Sequence, residues 1–511
     1  METTHSGKKQ SLTLIYAAFI AGLCSIIYEL LIATTISYFL GDSITYFSLT
    51  IGFYMAAMGL GSFVSKYIEE NLLVKFISAE LALGVLGGLS IPALYFSYAT
   101  SSLFIPTYLF FTISIGFLIG LEIPFLTRLM ETYNTLKVNI ANILSFDYLG
   151  ALIATISFPF VLLPFFGVYQ SSLIFGLANM SIAIALLYMF SDEIKGAKKR
   201  LVSLTISFCA IIVVMIIFSG VSLRYWDQAL YEDRIVHSEQ SRYQHIVLTK
   251  NRSDIRLFLN GNLQFSAIDE YRYHESLVLV PMAVATQPIR RVLLLGAGDG
   301  LAVRELLKFV EIEEIVLVDL DKRIVELAKT NPYITEINKR SLENKKVSII
   351  VGDAFSYLLN NEKSFDLIIC DLPDPNNNAL ARLYSKQFYK LIQKSLAAQG
   401  IFVTQATSPY FAKEAFWSIA KTIEASGFKH HYPYHASIPS FGDWGFVLAS
   451  HAELDLSDPK LAEDTRFLSK QNFSKLFVFD KDIITDKVSV NHLDKPVLLN
   501  YYLRGWRYYA H

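Results

Sequence analysis

Apolar and polar positions fall into two regimes along this chain. Up to about Val221, long apolar runs are separated by short polar gaps, and seven runs reach the roughly 20 residues a helix needs to cross a hydrocarbon core. They are Leu12–Leu40, Ile44–Tyr67, Leu72–Tyr98, Leu103–Leu129, Ile140–Phe166, Tyr169–Phe190 and Leu201–Val221. Helices apolar on every side belong in a membrane or a large core, so residues 1–223 are expected to form a polytopic helical transmembrane domain. From Arg234 to Phe265 the runs shorten and alternate (Tyr243–Leu248, Ile255–Leu259), with turn residues at Asn251–Asp254 and Asn260-Gly261. This pattern predicts a small antiparallel β domain over 224–285. Around Arg291, buried-type strands begin at Val292–Leu295, Ile315–Val318, Val347–Val351, Leu367–Cys370, Ile401–Thr404 and Gly445–Ala449. Helical stretches separate them at Leu301–Phe309, Lys322–Lys329, Lys386–Leu396 and Lys413–Ala425. That order predicts a Rossmann-like, doubly wound α/β domain over 286–450, with ligands at the carboxyl ends of its strands. Residues 451–511, ending in Tyr501, Tyr502, Trp506, Tyr508 and Tyr509, read as a C-terminal appendage.

Charge sharpens the division. Of the 91 charged residues in this 511-residue chain, 21 fall in the first 223 positions. The net charge of −1 gives no reason to expect nucleic acid. Cys24, Cys209 and Cys370 are too few and scattered for a disulfide framework or a zinc site. Short loops carry Lys8/Lys9, Lys66/Lys75, Arg128/Lys137 and Lys195/Lys198/Lys199/Arg200, whereas those around Asp42, Ser101 and Val168 carry no Lys or Arg. The alternation puts the N-terminus inside, and seven crossings then put everything after Val221 outside. Leu12–Leu40 is too long for a removable signal peptide. Four acids, Glu29, Glu80, Glu122 and Asp147, lie within the spans. They read either as interhelical hydrogen-bonding groups or as a polar path for a cation.

The first strand of the α/β region runs into Gly296-Ala297-Gly298-Asp299-Gly300, where glycines let backbone approach a nucleotide. Asp319 ends the second strand, where a carboxylate can accept both ribose hydroxyls. Asp353-Ala354 follows the third strand, where a carboxylate can take an exocyclic adenine amine. Asp371 and Asp374 follow the fourth. Any one of these aspartates could be a helix cap; four at successive strand ends point to a shared site for a nucleoside and a cation. Phosphates prefer helix N-termini with Lys or Arg nearby. This acid-rich crevice suits instead a doubly cationic nucleoside donor without a carboxylate.

These residues, with Tyr243-Gln244, Leu259–Gln264 and Asp269–Glu275, resemble the spermidine synthases, or polyamine aminopropyltransferases, over roughly 230–450. The apolar front end resembles the family's membrane-bound bacterial branch. The resemblance implies transfer of a 3-aminopropyl group from the co-substrate decarboxylated S-adenosylmethionine to an amine such as putrescine. Spermidine and methylthioadenosine would be the products. It implies that Gln244, Asp319, Asp353 and Ala354, with Gly296 and Gly298 in the loop, hold the nucleoside. Asp299 would bind the aminopropyl ammonium; Gln264, Tyr273, His274 and Asp374 would line the amine channel. Asp371 would accept the proton, helped by the Tyr273 hydroxyl. No prosthetic group and no metal is implied, and a homodimer is.

The chain departs from the family pattern at Asn260, at Asn376–Ala379, at Phe441, and at Asp319 where Glu is commoner. These changes leave the amine open. The donor should be cytoplasmic, so an inner-membrane protein with its catalytic half inside is expected, against the loop charges. The alternatives are an S-adenosylmethionine-dependent methyltransferase, or a polyamine transporter or sensor whose soluble half binds without turnover.

Overall fold

The computed structural model describes residues 5–40, 43–100, 103–133, 135–461 and 464–507. The chain divides between Glu232 and Asp233 into two compact units, where four domains were expected. The first unit is helical: α1 (His5–Leu40), α2 (Ser43–Ser65), α3 (Leu72–Thr100), α4 (Phe104–Met130), α5 (Leu136–Ser157), α6 (Leu163–Met189) and α7 (Lys198–Leu230). Its interior is apolar, with Tyr28, Tyr54, Phe76 and Phe125 fully buried, and so is its exterior, with Phe110, Phe160, Ile206 and Ile217 more than half exposed. Among the described residues, six stretches are long and apolar enough to cross a membrane. The longest, Leu136–Met189, holds both α5 and α6. It breaks at Gly167 (φ 64°, ψ −179°), a backbone conformation glycine adopts without a Cβ clash. The break falls beside the turn expected at Val168, while those expected at Asp42 and Ser101 lie outside the described residues. α7 continues past the boundary expected at 223, because no Gly or Pro interrupts the chain before Glu232.

Glu80 in α3 and Glu122 in α4 are buried, and Glu29 and Asp147 half-buried. Asn179 of α6 donates its Nδ2 to both Oε2 and the backbone carbonyl of Glu80, each at 2.8 Å.

The second unit holds two sheets. Strands β1 (Arg234–Gln240), β2 (His245–Asn251), β3 (Asp254–Leu259) and β4 (Asn262–Ser266) form an antiparallel meander. The larger sheet contains β5 (Arg291–Gly296), β6 (Glu314–Asp319), β7 (Val347–Val351), β8 (Phe365–Asp371), β9 (Leu396–Gln405), β10 (His430–Ile438) and β11 (Gly442–Ser450), in the order β10-β11-β9-β8-β5-β6-β7. β5 to β9 are parallel. In β5, Val292 and Leu294 bury on one face and Leu293 and Leu295 on the other, as expected of a strand covered on both sides. The sheet is not parallel throughout, because β11 runs antiparallel to β9 and pairs with β10 as a hairpin. β10 escaped the periodicity reading: Pro433 sits in its middle, tolerated because β10 is an edge strand.

Residues 451–507 are not an appendage. Leu454, Leu468, Phe473 and Leu476 enter the core on one face of the large sheet, and Leu498 and Tyr502 enter it on the other. Apolar side chains too sparse to show a period still bury wherever the sheet leaves a face uncovered. Tyr508 and Tyr509 lie outside the described residues.

Candidate active site

The strand order reverses between β5 and β8, and there the glycine loop meets the fourth acid: Gly296 is the register partner of Asp371. Gly296 has φ 86°, and a Cβ there would stand 2.0 Å from the Asp371 carbonyl oxygen. The loop turns back so that Gly298 N–H donates to Asp319 Oδ2 at 3.1 Å; Asp319 Oδ1 accepts from Asp321 N–H at 2.9 Å. Asp299 Oδ1 accepts from Leu301 N–H at 2.9 Å, at the start of the helix Leu301–Leu306. The Asp299 charge raises the carboxyls of both Asp319 and Asp371, the acids ending β6 and β8.

Asp371 receives the Tyr273 hydroxyl on Oδ1 at 2.5 Å. Burial pushes its carboxyl up to about 6, and the Asp299 charge adds to this, against the His274 charge and the Tyr273 bond. Burial likewise raises Asp299, and lifts Asp319 and Asp374 to about 6. Each of the four carboxylates is costly as it stands, and a cation between them would relieve that cost.

Asp299 and Asp371 interact with a cation, His274. His274 Nδ1 lies 2.9 Å from Glu270 Oε2, and Glu270 takes a two-pronged bond from Arg304 at 2.8 and 2.9 Å. Burial alone would lower His274, but Glu270, Asp299 and Asp371 bring it up to about 9, so it is an imidazolium at neutral pH. Burial would raise Glu270, yet His274 and Arg304 bring it down to about 2. Glu270 and Arg304 were missed as site residues; Glu270 stands in the quoted motif, but its partner lies 34 residues on.

Other expected residues serve different partners. Gln244 donates Nε2 to Asp321 Oδ2 at 3.0 Å, beside the Ser241 hydroxyl at 2.6 Å, and so ties the β1–β2 turn to the end of β6 without touching Asp319. Asp353 caps the helix Ala354–Leu359 through Ser356, and its other oxygen pairs with Arg382. Both Asp353 oxygens are therefore engaged, and Ala354 opens the capped helix, buried. Gln264 bonds back to the Asn262 carbonyl at 3.1 Å within its own hairpin. Phe441 packs on the Tyr273 ring (centroids 5.9 Å) and on Trp444 (5.0 Å), giving the site an aromatic wall.

Asp374 gathers donors that were not foreseen. Gln405 Nε2 reaches Oδ1 at 3.3 Å, and Thr407 Oγ1 reaches Oδ2 at 3.2 Å. Thr407 is a buried β-branched residue at φ 57°, a conformation that costs about 1–3 kcal/mol and is held by the surrounding structure.

The profile of the Spermine/spermidine synthase domain matches residues 270–458. Over 494 residues the chain is 39% identical to the polyamine aminopropyltransferase of Leptospira interrogans, covering 96% of this chain and 98% of that one. It is 37% identical to the Oceanobacillus iheyensis enzyme of the same name over 512 residues, covering 98% and 99%. For the Mycobacterium tuberculosis polyamine aminopropyltransferase the identity is 35% over 530 residues, covering 99% and 98%. A solved spermidine synthase from Thermotoga maritima aligns with TM-score 0.45 and 24% identity, covering 49% of this chain and 86% of that one. The full-length relatives span the helical unit as well as the crevice, and methyl transfer gives way to aminopropyl transfer: this protein is an enzyme of the polyamine aminopropyltransferase family.

Proposed function

We propose that the crevice transfers a 3-aminopropyl group from decarboxylated S-adenosylmethionine to a diamine of the putrescine type. The observation that carries this reading is the Asp371–Tyr273 hydrogen bond, with Asp299 acting on the same carboxylate and both acids raised by burial against the His274 imidazolium. Asp319 receives the ribose hydroxyls at the glycine loop, with Gln244 and Ala354 bordering the nucleoside. An adenine contact from Asp353 would be shared with Arg382. Asp299 binds the donor's ammonium, and the absence of a donor carboxylate spares repulsion from that same acid. Asp374, with Gln264 and His274, holds the acceptor.

An aliphatic ammonium has a pKa near 10. The attacking nitrogen must therefore give up a proton, and Asp371, held by Tyr273, is placed to take it. The nitrogen then forms a bond to the aminopropyl carbon while the carbon–sulfur bond breaks. Its electron pair stays on sulfur and methylthioadenosine leaves. Holding donor and acceptor in line supplies much of the remaining acceleration. The test is incubation of the purified full-length protein with each sulfonium donor and a panel of diamines, read by mass spectrometry. Methylthioadenosine with an aminopropylated diamine supports the reading; S-adenosylhomocysteine, or no product, rejects it.

The long apolar helices are proposed to anchor the enzyme in a lipid bilayer, with the catalytic unit in the cytoplasm as a homodimer. Loop charges that place the N-terminus inside agree with this when the number of complete crossings is even, one of the seven runs being re-entrant. Protease accessibility of the segment after Asp233 in sealed inside-out and right-side-out vesicles tests the side, and cleavage only in right-side-out vesicles rejects it.

A further inference from the structure

We propose that Thr407, the second residue past the end of β9, is a positioning residue for the amine acceptor: its hydroxyl fixes the Asp374 carboxylate in the orientation that receives an ammonium group. This rests on the assignment of Asp374 to the amine. β8 and β9 are parallel neighbours, so the chain leaving β9 passes beside the Asp374 loop that follows β8.

The backbone at Thr407 is held where a β-branched residue seldom sits. Its φ of 57° lies in the left-handed region, which crowds a branched Cβ. Three bonds keep it there. Thr407 N–H donates to Gln405 Oε1 at 2.9 Å, and the Thr407 carbonyl accepts from Gly445 N–H at 2.7 Å. Ala406 N–H donates to the Gly445 carbonyl at 2.8 Å, which carries the β9–β11 ladder one step past Gln405. Gly445 has no Cβ to intrude; one would stand 2.8 Å from the Thr407 carbonyl oxygen and 2.5 Å from the Phe416 ring. A glycine at 407 would meet the same backbone demand without strain, so threonine there is explained by its side chain. That side chain is fully buried, and its Oγ1 donates to Asp374 Oδ2 at 3.2 Å. Strain that the surroundings enforce is a mark of functional constraint.

Gln405 is the weaker partner of the same carboxylate. Its Nε2 lies 2.6 Å from the Leu372 carbonyl and 2.5 Å from the Tyr384 oxygen, and those two acceptors take up the two hydrogens of the amide. Asp374 Oδ1, at 3.3 Å, is left with a shared and longer contact. The Thr407 hydroxyl has one hydrogen and gives it to Asp374. Thr407 and Gln405 are buried, whereas Asp374 is partly exposed, so the donors stand behind the carboxylate and leave its open side to a ligand. Both donors are neutral. They hold the negative charge in place without cancelling it, which is what an incoming ammonium requires.

The experiment compares Thr407→Val, Thr407→Gly, Thr407→Ser and Asp374→Asn in the full-length enzyme, measuring KM for decarboxylated S-adenosylmethionine and for putrescine separately. Thr407→Val keeps the branched shape and loses the hydroxyl; Thr407→Gly keeps the left-handed backbone and loses it too. Both should raise the putrescine KM roughly tenfold, the low end for a hydrogen bond to a charged group. The donor KM should stay in place and so report an intact crevice. Thr407→Ser, which keeps the hydroxyl on a smaller side chain, should recover most of the wild-type putrescine KM. A wild-type putrescine KM in Thr407→Val, with a raised one in Asp374→Asn, overturns the role of Thr407 and leaves Asp374 in place. A Thr407→Ser enzyme as impaired as Thr407→Val would assign the effect to packing, and equal losses in donor and putrescine KM would assign it to structure; either overturns the role. An unmoved putrescine KM in Asp374→Asn would remove the Asp374 assignment and this inference together.

Discussion

Both units bury carboxyl groups, and the company those groups keep separates them. In the helical unit, Glu80 is met by the Asn179 amide and shares a carboxyl–carboxyl interaction with Glu122. In the catalytic unit, Asp299 and Asp319 accept backbone N–H groups, Asp371 accepts a phenol, and Asp374 accepts an amide and a hydroxyl. The His274 imidazolium interacts with Asp299 and Asp371. A buried acid is therefore not by itself a reacting site. What marks the crevice is a set of donors to several partly buried carboxylates gathered at the strand ends.

That contrast can be broken, and the largest effect should come from the network behind the crevice. Glu270→Gln leaves His274 in the interior without its carboxylate, while Arg304 keeps Glu305, and should destabilise the catalytic unit by about 3–5 kcal/mol in denaturant melts; a loss below about 1 kcal/mol would show the charges relax freely. Next comes Asp371→Asn, which should lower turnover by at least roughly a hundredfold, the low end for loss of a general base. Donor binding by calorimetry should persist, and near-normal turnover would remove Asp371 from the proton transfer.

The third test is pH. Asp371 must be ionised to act and its pKa is raised to about 6, so kcat/KM for the amine should fall as pH drops through about 6. Asp299→Asn removes a charge that raises Asp371, so it should move this limb to lower pH. A limb that stays in place would uncouple the two acids. Stability should follow the Glu270–His274 pair in two directions. The depressed Glu270 contributes stability that is present above about 4.5 and lost as pH falls towards 2. The raised His274 contributes stability that is complete below 6.5 and lost as pH rises through about 9. Thermal melts across pH should lose the alkaline limb in His274→Gln. Smallest of all, Glu80→Gln should change turnover within about threefold, since interhelical hydrogen bonds average about 0.6 kcal/mol. Abolished turnover there would place the helical unit in the chemistry and end the contrast.

Much of the architecture was legible before any coordinates. Runs of apolar residues announce helices, and β5, β6, β7 and β8 begin and end within a residue or two of where Val292, Ile315, Val347 and Leu367 predict them. The acids at the strand ends stand where expected because parallel strands covered on both faces must put their polar chemistry at the carboxyl ends. β10 was not legible, because Pro433 and paired histidines hide its alternation. Nor were the tail's packing and the engagement of Asp353 by Arg382, which depend on what lies across the fold.

Local spacing was sufficient for the two-part division of the chain, for the glycine turn before Asp299, and for the succession of aspartates at the strand ends. These follow from periodicity and from what a short stretch of backbone can or cannot do. The union of Tyr273 with Asp371, 98 residues apart, the clasp of Arg304 on Glu270, and the meeting of Gln405 and Thr407 with Asp374 had no such signature. Hydrogen bonds between distant segments depend on which strands become neighbours and which face the last helix covers. That choice is made by burial of the whole core, not by any window of the chain.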